Sequence, residues 1–242
     1  MPDQPLFFAH GDFAEGRTIT LDPDTAKHIW QVLRMQAGDK LLLTNGKGMR
    51  ASGIIQSADR SKCTVTITRS ELVLRTRPMF HLAVALTKNN SRNEWLLEKA
   101  TELGVASIIA LQTARTEKSH FRADRWDKIL QSAILQSRQY HMPVLTEQLP
   151  LPLVLQQYQH IPKRFIAHCL ADDIRQPLHK MLNPAVESII LIGPEGDFTP
   201  EEVNLCMQHG YQPVSLGNTR LRTETAAITA AAYCNVMTDG EV

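Results

Sequence analysis

The chain has 242 residues, of which 43% are hydrophobic and 21% are charged, a composition typical of a protein with a substantial buried core. Its net charge of +1 excludes the overall basic character of many nucleic-acid-binding proteins, although residues 1–77 hold 11 Lys and Arg against 8 Asp and Glu. The start has no signal-peptide pattern, no apolar run reaches the ~20 residues of a membrane helix, and the four cysteines are widely spaced. We therefore expect a cytoplasmic protein with reduced cysteines, no membrane segment and no metal site.

The first third of the chain favours β-structure. KLLLTNGKGMRASGII has strand-like flanks around Asn45-Gly46, a pair suited to a tight hairpin turn, and CTVTITRS alternates like a half-buried strand. Four apolar residues at helical spacing predict one helix: Ala26, Ile29, Trp30 and Leu33. Gly38 is its predicted stop. Several short strands and one helix predict a small barrel, and we place this domain at residues 1–74.

From residue 75 to 242 the pattern indicates a second domain of a different class. Short, nearly continuous apolar runs predict buried strands: MFHLAVAL, SIIALQ, RFIAHCL, SIILI and PVSL. Amphipathic stretches between them predict helices: RNEWLLEKATELG, RWDKILQSAILQS and PLPLVLQQYQHIP, with further helices after the last two strands. Such alternation is typical of an α/β fold with a parallel sheet covered on both faces.

Two loops carry the functional signal of the second domain. In LIGPEGDFTP, Gly193 and Gly196 allow a close backbone approach to a ligand, and Thr199 begins a helix with a capping box. In SLGNTRLRTETAA, Arg222 and Glu224 stand where a small-residue helix begins. Ligands of parallel sheets bind beyond the carboxyl ends of the strands, so both loops can frame one pocket. The alternatives are a plain strand–turn–helix for the first loop and a tightly packed core or dimer helix for the second.

The common nucleotide-binding motifs are missing from the sequence. There is no G-x-G-x-x-G after a strand, no Walker A lysine motif and no His-Glu-x-x-His, which disfavours a Rossmann dehydrogenase or a P-loop enzyme. Instead, LIGPEGDFTPEEV and LGNTRLRTETAA together resemble the SPOUT-class 16S ribosomal RNA (uridine-N3)-methyltransferases. HIWQVLRMQAGD, KNNSRNEWLLEKATELGV and the TART stretch around Arg115 are also similar to segments of that family. The resemblance runs in order over nearly the whole chain.

The resemblance implies a PUA-like β-barrel followed by a knotted SPOUT α/β domain that dimerises and binds S-adenosyl-L-methionine in the knot. The implied substrate is a uridine of 16S rRNA in the small ribosomal subunit, whose N3 must lose its imide proton before it is methylated. Arg222 is the candidate for stabilising the developing negative charge, and Glu224 for orienting Arg222 or accepting the proton. The alternative is that these two residues form only an ion pair that braces the loop.

The expected binding residues fall into two sets. Those expected at the cofactor come from the two loops and the adjoining elements: Leu191, Gly193, Gly196, Leu216, Gly217, Leu221, Thr225 and Ala226. Those expected at RNA phosphates are basic: Arg17, Lys27, Arg34, Lys47, Arg50 and Arg115. Glu195 faces the ligand, a second subunit or solvent, and His168 either lines the pocket or lies in the core.

The stretch LQSRQYHMP departs from the Glu-Gln-x-Gly-Arg pattern of the family. Gln136 and Pro143 match, but Leu135 replaces the acid and Gln139 stands at the position of the arginine. Two other functions are compatible with the residues themselves: a non-catalytic RNA-binding or assembly factor, and a small-molecule methyltransferase whose N-terminal barrel serves dimerisation.

Overall fold

The computed structural model describes residues 4–117, 121–170 and 175–238. These residues form two compact units. One unit holds the described residues up to Arg75 together with Ile134–Met142, and the other holds Thr76–Ala133 and the residues from Pro143 onward. No helix within the described ranges combines the length and apolar character needed to span a bilayer.

The first unit contains a five-stranded sheet. Its strands are β1 (Leu6–Phe8), β2 (Thr18–Thr20), β3 (Lys40–Thr44), β4 (Met49–Ala58) and β5 (Cys63–Leu72). Their order is β1-β3-β4-β5-β2, and every neighbouring pair is antiparallel except β1 with β3, which is parallel. Alternate residues of β5, such as Val65 and Ile67, are fully buried, as the period-two pattern of CTVTITRS predicts.

The helix of the first unit differs from its prediction. It begins as α1 (Pro23–Lys27) and continues as a wider, π-helical turn over His28–Val32. Ala26 and Ile29 are fully buried, but Trp30 and Leu33 are 44% and 42% exposed, because the wider turn rotates them away from the core. The helix ends at Val32, with Leu33 as its C-cap, and Arg34 beyond it has a left-handed φ of 55°, so the chain leaves the helix well before Gly38.

The predicted hairpin around Asn45-Gly46 is confirmed, but its turn is not a tight two-residue one. Four residues, Asn45–Gly48, connect β3 to β4, and Gly46 and Gly48 have positive φ values of 69° and 90°. The segment Ile134–Met142 is bonded to this turn by two backbone hydrogen bonds. Gly48 N donates to Tyr140 O at 2.7 Å, and Met142 N donates to Gly46 O at 2.7 Å.

The second unit contains a seven-stranded sheet, and the predicted parallel arrangement is confirmed. Its strands are β6 (Phe80–Val84), β7 (Ser107–Gln112), β8 (Val144–Pro150), β9 (Lys163–Ala167), β10 (Gln176–Pro177), β11 (Ser188–Ile192) and β12 (Gln212–Ser215). The order is β10-β12-β9-β11-β6-β7-β8, with every pair parallel. All residues of β6 and β11 are buried, so both faces of the sheet are covered at its centre.

Helices follow most of these strands, as the sequence predicts. They are α2 (Asn90–Glu102), α3 (Ala123–Gln136), α4 (Leu151–Gln157), α5 (Leu178–Met181), α6 (Pro200–Gln208) and α7 (Thr223–Thr238). Residues of α4 and α6 share one apolar cluster with Phe198 and the central strands, while α7 packs against α2, β6 and β11. This layering leaves the carboxyl ends of β9, β11 and β12 side by side at one edge of the sheet.

Candidate functional site

A pocket of about 400 Å³ lies at this edge of the second unit. Residues at or beyond the carboxyl ends of three neighbouring strands line it: Ala167–Cys169 at the end of β9, Gly193–Glu195 and Asp197 after β11, and Leu216, Gly217 and Thr219–Thr223 after β12. The strand order explains this placement, because the carboxyl ends of parallel neighbours converge. The pocket is therefore built where the two glycine-bearing loops were predicted to meet.

The loop after β11 makes a close contact that favours glycine at its first position. A Cβ atom on Gly193 would lie 3.0 Å from two ring carbons of the fully buried Phe198. Further along, Asp197 has a left-handed φ of 63°. Its carboxylate accepts hydrogen bonds from Cys169 N at 2.7 Å and from Phe198 N at 2.9 Å. Asp197 thus fastens this loop to the one that follows β9.

The start of α6 fixes the far side of the same loop. The predicted capping box is present, since Glu202 N donates to Thr199 Oγ1 at 3.2 Å and Thr199 N donates to Glu202 Oε2 at 2.9 Å. The other oxygen of Glu202 accepts from Ala114 N at 2.7 Å. Arg115 Nη1 donates to Gly196 O at 2.7 Å. The TART segment therefore braces the G-P-E-G loop from outside the pocket.

The loop after β12 is joined directly to the first loop. Gly217 has a φ of +136°, which favours glycine, and no atom lies within 4 Å of where its Cβ would be. The hydroxyl of buried Thr223 donates to Gly193 O at 3.0 Å. The first turn of α7 then begins, with Ala226 N donating to Arg222 O at 2.8 Å.

The predicted cofactor residues divide into those that line the pocket and those that do not. The lining set is Gly193, Leu216, Gly217, Leu221 and Ala226. Leu191 is fully buried within β11, Gly196 packs against the side chain of Arg115, and Thr225 is exposed on α7. The interior position of Leu191 follows from its strand, where it pairs with Ala83 on one side and Ile166 on the other.

The two predicted catalytic residues have different surroundings. Arg222 is exposed and lines the pocket. Glu224 is buried, and its Oε1 lies 3.5 Å from Nε of Arg92 on α2. The bracing ion pair between Arg222 and Glu224, an alternative from the sequence, is not formed among the described residues. Glu224 is instead engaged with a different helix.

Several lining residues carry charge that the sequence reasoning did not assign to the cofactor site. Arg175 and Arg220 join Arg222, and Glu195 and His168, whose placement was left open, also line the pocket. Three arginines and two carboxylates, those of Glu195 and Asp197, give the lining a formal net charge of +1, so positive charge is in slight excess there. The signal for His168 was its position just after the apolar run RFIA, whereas Arg175 lies in no recognisable motif.

The predicted RNA contacts other than Arg115 all belong to the first unit. Arg17 pairs with Asp12 at 2.9 Å, and Arg50 pairs with Glu71 at 3.3 Å. Arg50 Cζ also lies 5.8 Å from the centroid of the Tyr140 ring. The remaining three are exposed: Lys27, Arg34 and Lys47.

The cysteines offer a direct test of the pocket. Cys169 is exposed and lines it, whereas burial raises the pKa of the Cys206 thiol to about 12 and that of Cys234 to about 11. Burial also raises the pKa of Cys63. At pH 8 a thiol reagent should therefore modify Cys169 first, because the other three thiols remain protonated and Cys63 and Cys206 are also buried. We expect a pocket ligand such as S-adenosylmethionine to slow this reaction, as followed by mass spectrometry. The Cys169→Ser variant is the control and should show no fast phase of labelling. Labelling of Cys206 as fast as that of Cys169 would contradict the prediction.

Comparison with known proteins agrees with this architecture. The family described as an RNA methyltransferase domain matches residues 75–235, and an RNA methyltransferase PUA domain matches residues 21–68. Ribosomal RNA small subunit methyltransferase E of Mycobacterium bovis is 29% identical over 231 residues, which cover 92% of this chain and 88% of that protein.

Solved structures resemble the chain over almost its full length. A probable rRNA-methyltransferase from Porphyromonas gingivalis has a TM-score of 0.89 and 36% identity, covering 97% of this chain and 98% of that one. A ribosomal RNA small subunit methyltransferase E from Neisseria gonorrhoeae, crystallised with S-adenosyl methionine, has a TM-score of 0.77 and 25% identity, with the same coverage. On the fold, the matched domains and these likenesses, the chain belongs to the RNA methyltransferase family of the SPOUT class.

Proposed function

We propose that this protein transfers a methyl group from S-adenosyl-L-methionine to N3 of a specific uridine of 16S rRNA in the small ribosomal subunit. The observation that carries the proposal is the pocket formed by the two glycine-bearing loops, within the part of the chain that matches the RNA methyltransferase domain. The methyltransferases E of M. bovis and N. gonorrhoeae support the choice of substrate class. We place the activity in the cytoplasm.

The residues of the pocket fit this cofactor. Its volume of about 400 Å³ lies within the usual range of small-molecule sites. Ile192, Val214, Leu216 and Leu221 provide apolar surface for an adenine ring. The carboxylate of the methionine moiety has guanidinium donors at the rim, and Gly193 and Gly217 expose backbone without a Cβ between them and a ligand.

For this reaction the protein must position the methyl donor and the uracil ring, and it must stabilise the negative charge that develops on the base. S-adenosylmethionine, when bound, supplies an electrophilic methyl carbon on a sulfonium. As the imide proton leaves N3, negative charge spreads over O2 and O4 of the uracil ring, and a guanidinium aimed at these oxygens stabilises it. We assign this role to Arg222, and its exposure, its place in the pocket lining and its position directly before α7 support the assignment. Glu224, which faces α2, is assigned to holding this turn rather than to touching the base.

We assign RNA binding to the N-terminal domain, residues 1–74, and catalysis to residues 75–242. The excess of basic residues in the first 77 positions and the match to an RNA methyltransferase PUA domain support the division. Ion pairs such as Arg17–Asp12 are exposed and cost little to exchange for a phosphate contact. We further propose a trefoil knot around the two loops and a homodimer; the exposed apolar residues Val236 and Met237 at the end of α7 support the dimer.

Methylation of defined substrates tests the proposal. The purified protein is incubated with S-adenosylmethionine and either naked 16S rRNA or small subunits that lack the modification, and the modified nucleotide is mapped by mass spectrometry. We expect one methyl group on N3 of one uridine. Cofactor binding without transfer to either RNA would instead favour an RNA-binding or assembly factor. Transfer only to a small molecule would favour a small-molecule methyltransferase.

A further inference from the structure

The carboxylate of Glu224 depends on a residue from another helix. Its side chain, in the first turn of α7, is only 10% exposed, and Oε1 lies 3.5 Å from Nε of Arg92. Its Oε2 is buried without a hydrogen-bond partner among the described residues. Within the described ranges, Arg92 is the cation at ion-pair distance from this carboxylate. Because a buried charge is stable only when compensated, the conformation of Glu224 rests on Arg92.

Arg92 itself is held in place by the start of α2. Asn89 caps this helix, and its Oδ1 accepts from Ser91 N at 3.0 Å and from Arg92 N at 3.3 Å. One turn on, Asn93 Oδ1 accepts from Thr87 N at 3.0 Å, and Asn93 Nδ2 donates to Thr87 O at 2.8 Å. These hydrogen bonds fix the backbone that carries Arg92 to the loop after β6.

Glu224 and Arg222 are not in contact, but both depend on the backbone conformation at the start of α7. Residues two apart on a helix point in different directions, so Glu224 faces α2 while Arg222 lines the pocket. The direction of Arg222 therefore depends on the backbone of this turn, which is secured by Thr223 on Gly193 and by the bond from Ala226 N to Arg222 O. A movement of Glu224 toward solvent would rotate or unwind the same turn.

We propose that Arg92 is a positioning residue that, through its ion pair with Glu224, holds the first turn of α7 and keeps Arg222 directed into the pocket. The inference rests on the methyltransferase function proposed above. Without Arg92, the carboxylate of Glu224 loses its compensating charge and leaves its buried position. The first turn of α7 then moves, and the side chain of Arg222 no longer points into the pocket.

A double-mutant cycle tests the coupling. Arg92→Ala should lower kcat for methyl transfer by roughly 10- to 100-fold, the scale expected for a small misplacement of a catalytic group. The KM for S-adenosylmethionine should change by less than about 3-fold, because Arg92 does not line the pocket. In the Glu224→Gln background, Arg92→Ala should have little further effect, since the two residues act as one unit. Arg92→Lys, which keeps the charge, should recover most of the activity.

The matched control is Arg125→Ala. Arg125 also forms an ion pair with a carboxylate of α2, that of Glu94, but lies away from the start of α7 in sequence and lines no part of the pocket. Its loss should leave kcat within about 2-fold, as for an exposed ion pair. Multiplicative effects of Arg92→Ala and Glu224→Gln, or an equal loss in Arg125→Ala, would overturn the proposal.

Amide hydrogen exchange gives a second readout that needs no methyl transfer. In Arg92→Ala the amide of Ala226, which closes the first turn of α7, should exchange at least about 10-fold faster, while amides in the middle of the helix keep their protection. Unchanged protection at Ala226 would refute the positioning role whatever the substrate is. Absence of uridine methylation by the unaltered protein would instead contradict the proposed function. The exchange rate of the Ala226 amide would still test the positioning role of Arg92.

Discussion

Replacing Arg222 with alanine is expected to lower kcat for uridine methylation by about 10²- to 10³-fold, the usual cost of removing one donor that stabilises developing negative charge. Arg222 is the arginine that directly precedes α7, and it lines the pocket where the two loops meet. The affinity for S-adenosylmethionine, measured by calorimetry, should change little, because Arg175 and Arg220 remain at the rim. Single-turnover kinetics would separate the chemical step from binding.

Arg222→Lys is the informative companion variant. Lysine keeps the positive charge but lacks the planar pair of donors that can serve a delocalised anion, so we expect partial activity between those of the unaltered protein and Arg222→Ala. Full activity in Arg222→Ala would remove this residue from the mechanism. Loss of cofactor affinity in parallel with kcat would reassign it to cofactor binding.

Phe198→Ala is expected to reduce the free energy of unfolding by about 3–5 kcal/mol, the range for removing a buried aromatic side chain. Phe198 is fully buried in the cluster shared with α4 and α6, and its ring packs against Gly193. The substitution opens a cavity beneath the first loop, so cofactor affinity should fall as well. Urea unfolding, monitored by a probe within residues 143–238, and calorimetric titration measure the two effects.

Phe198→Leu serves as the graded control for this site. Leucine keeps most of the buried volume, so we expect a loss of less than about 1.5 kcal/mol and nearly unchanged binding. If Phe198→Ala were to unfold at the same urea concentration as the unaltered protein, the support that Phe198 gives to the loop would be disproved.

The central strands were predictable from the sequence because they are buried on both faces. MFHLAVAL, RFIAHCL and SIILI are continuous apolar runs, and they became β6, β9 and β11. The edge strand β8 was not predicted, since Val144 is 66% exposed and Glu147 and Gln148 interrupt any apolar pattern. An edge strand is held by backbone hydrogen bonds to one neighbour, and these leave little trace in side-chain type.

The site was predictable where its geometry demands a particular residue. Gly193 and Gly217 were predicted from their place in loops that follow strands, and the structure supplies a physical reason for each: a neighbouring ring favours glycine at position 193 and a positive φ favours it at position 217. Arg175 was missed because it directly precedes β10, and the pairing of β10 with β12, which spacing along the chain does not reveal, brings it to the pocket. The orientation of Glu224 toward α2 could not be predicted for a similar reason, because its partner Arg92 is distant in sequence.

The first unit is built from two separate segments of the chain, which affects both its folding during synthesis and its production as a fragment. A fragment that stops at Arg75 would lack Ile134–Met142, leaving the amide of Gly48 and the carbonyl of Gly46 without their partners. During synthesis on the ribosome, this module cannot complete its contacts until residues 134–142, which follow 76–133 of the other unit, have also emerged. Its maturation is therefore tied to that of the downstream chain, and an excised N-terminal piece is an incomplete stand-in for it.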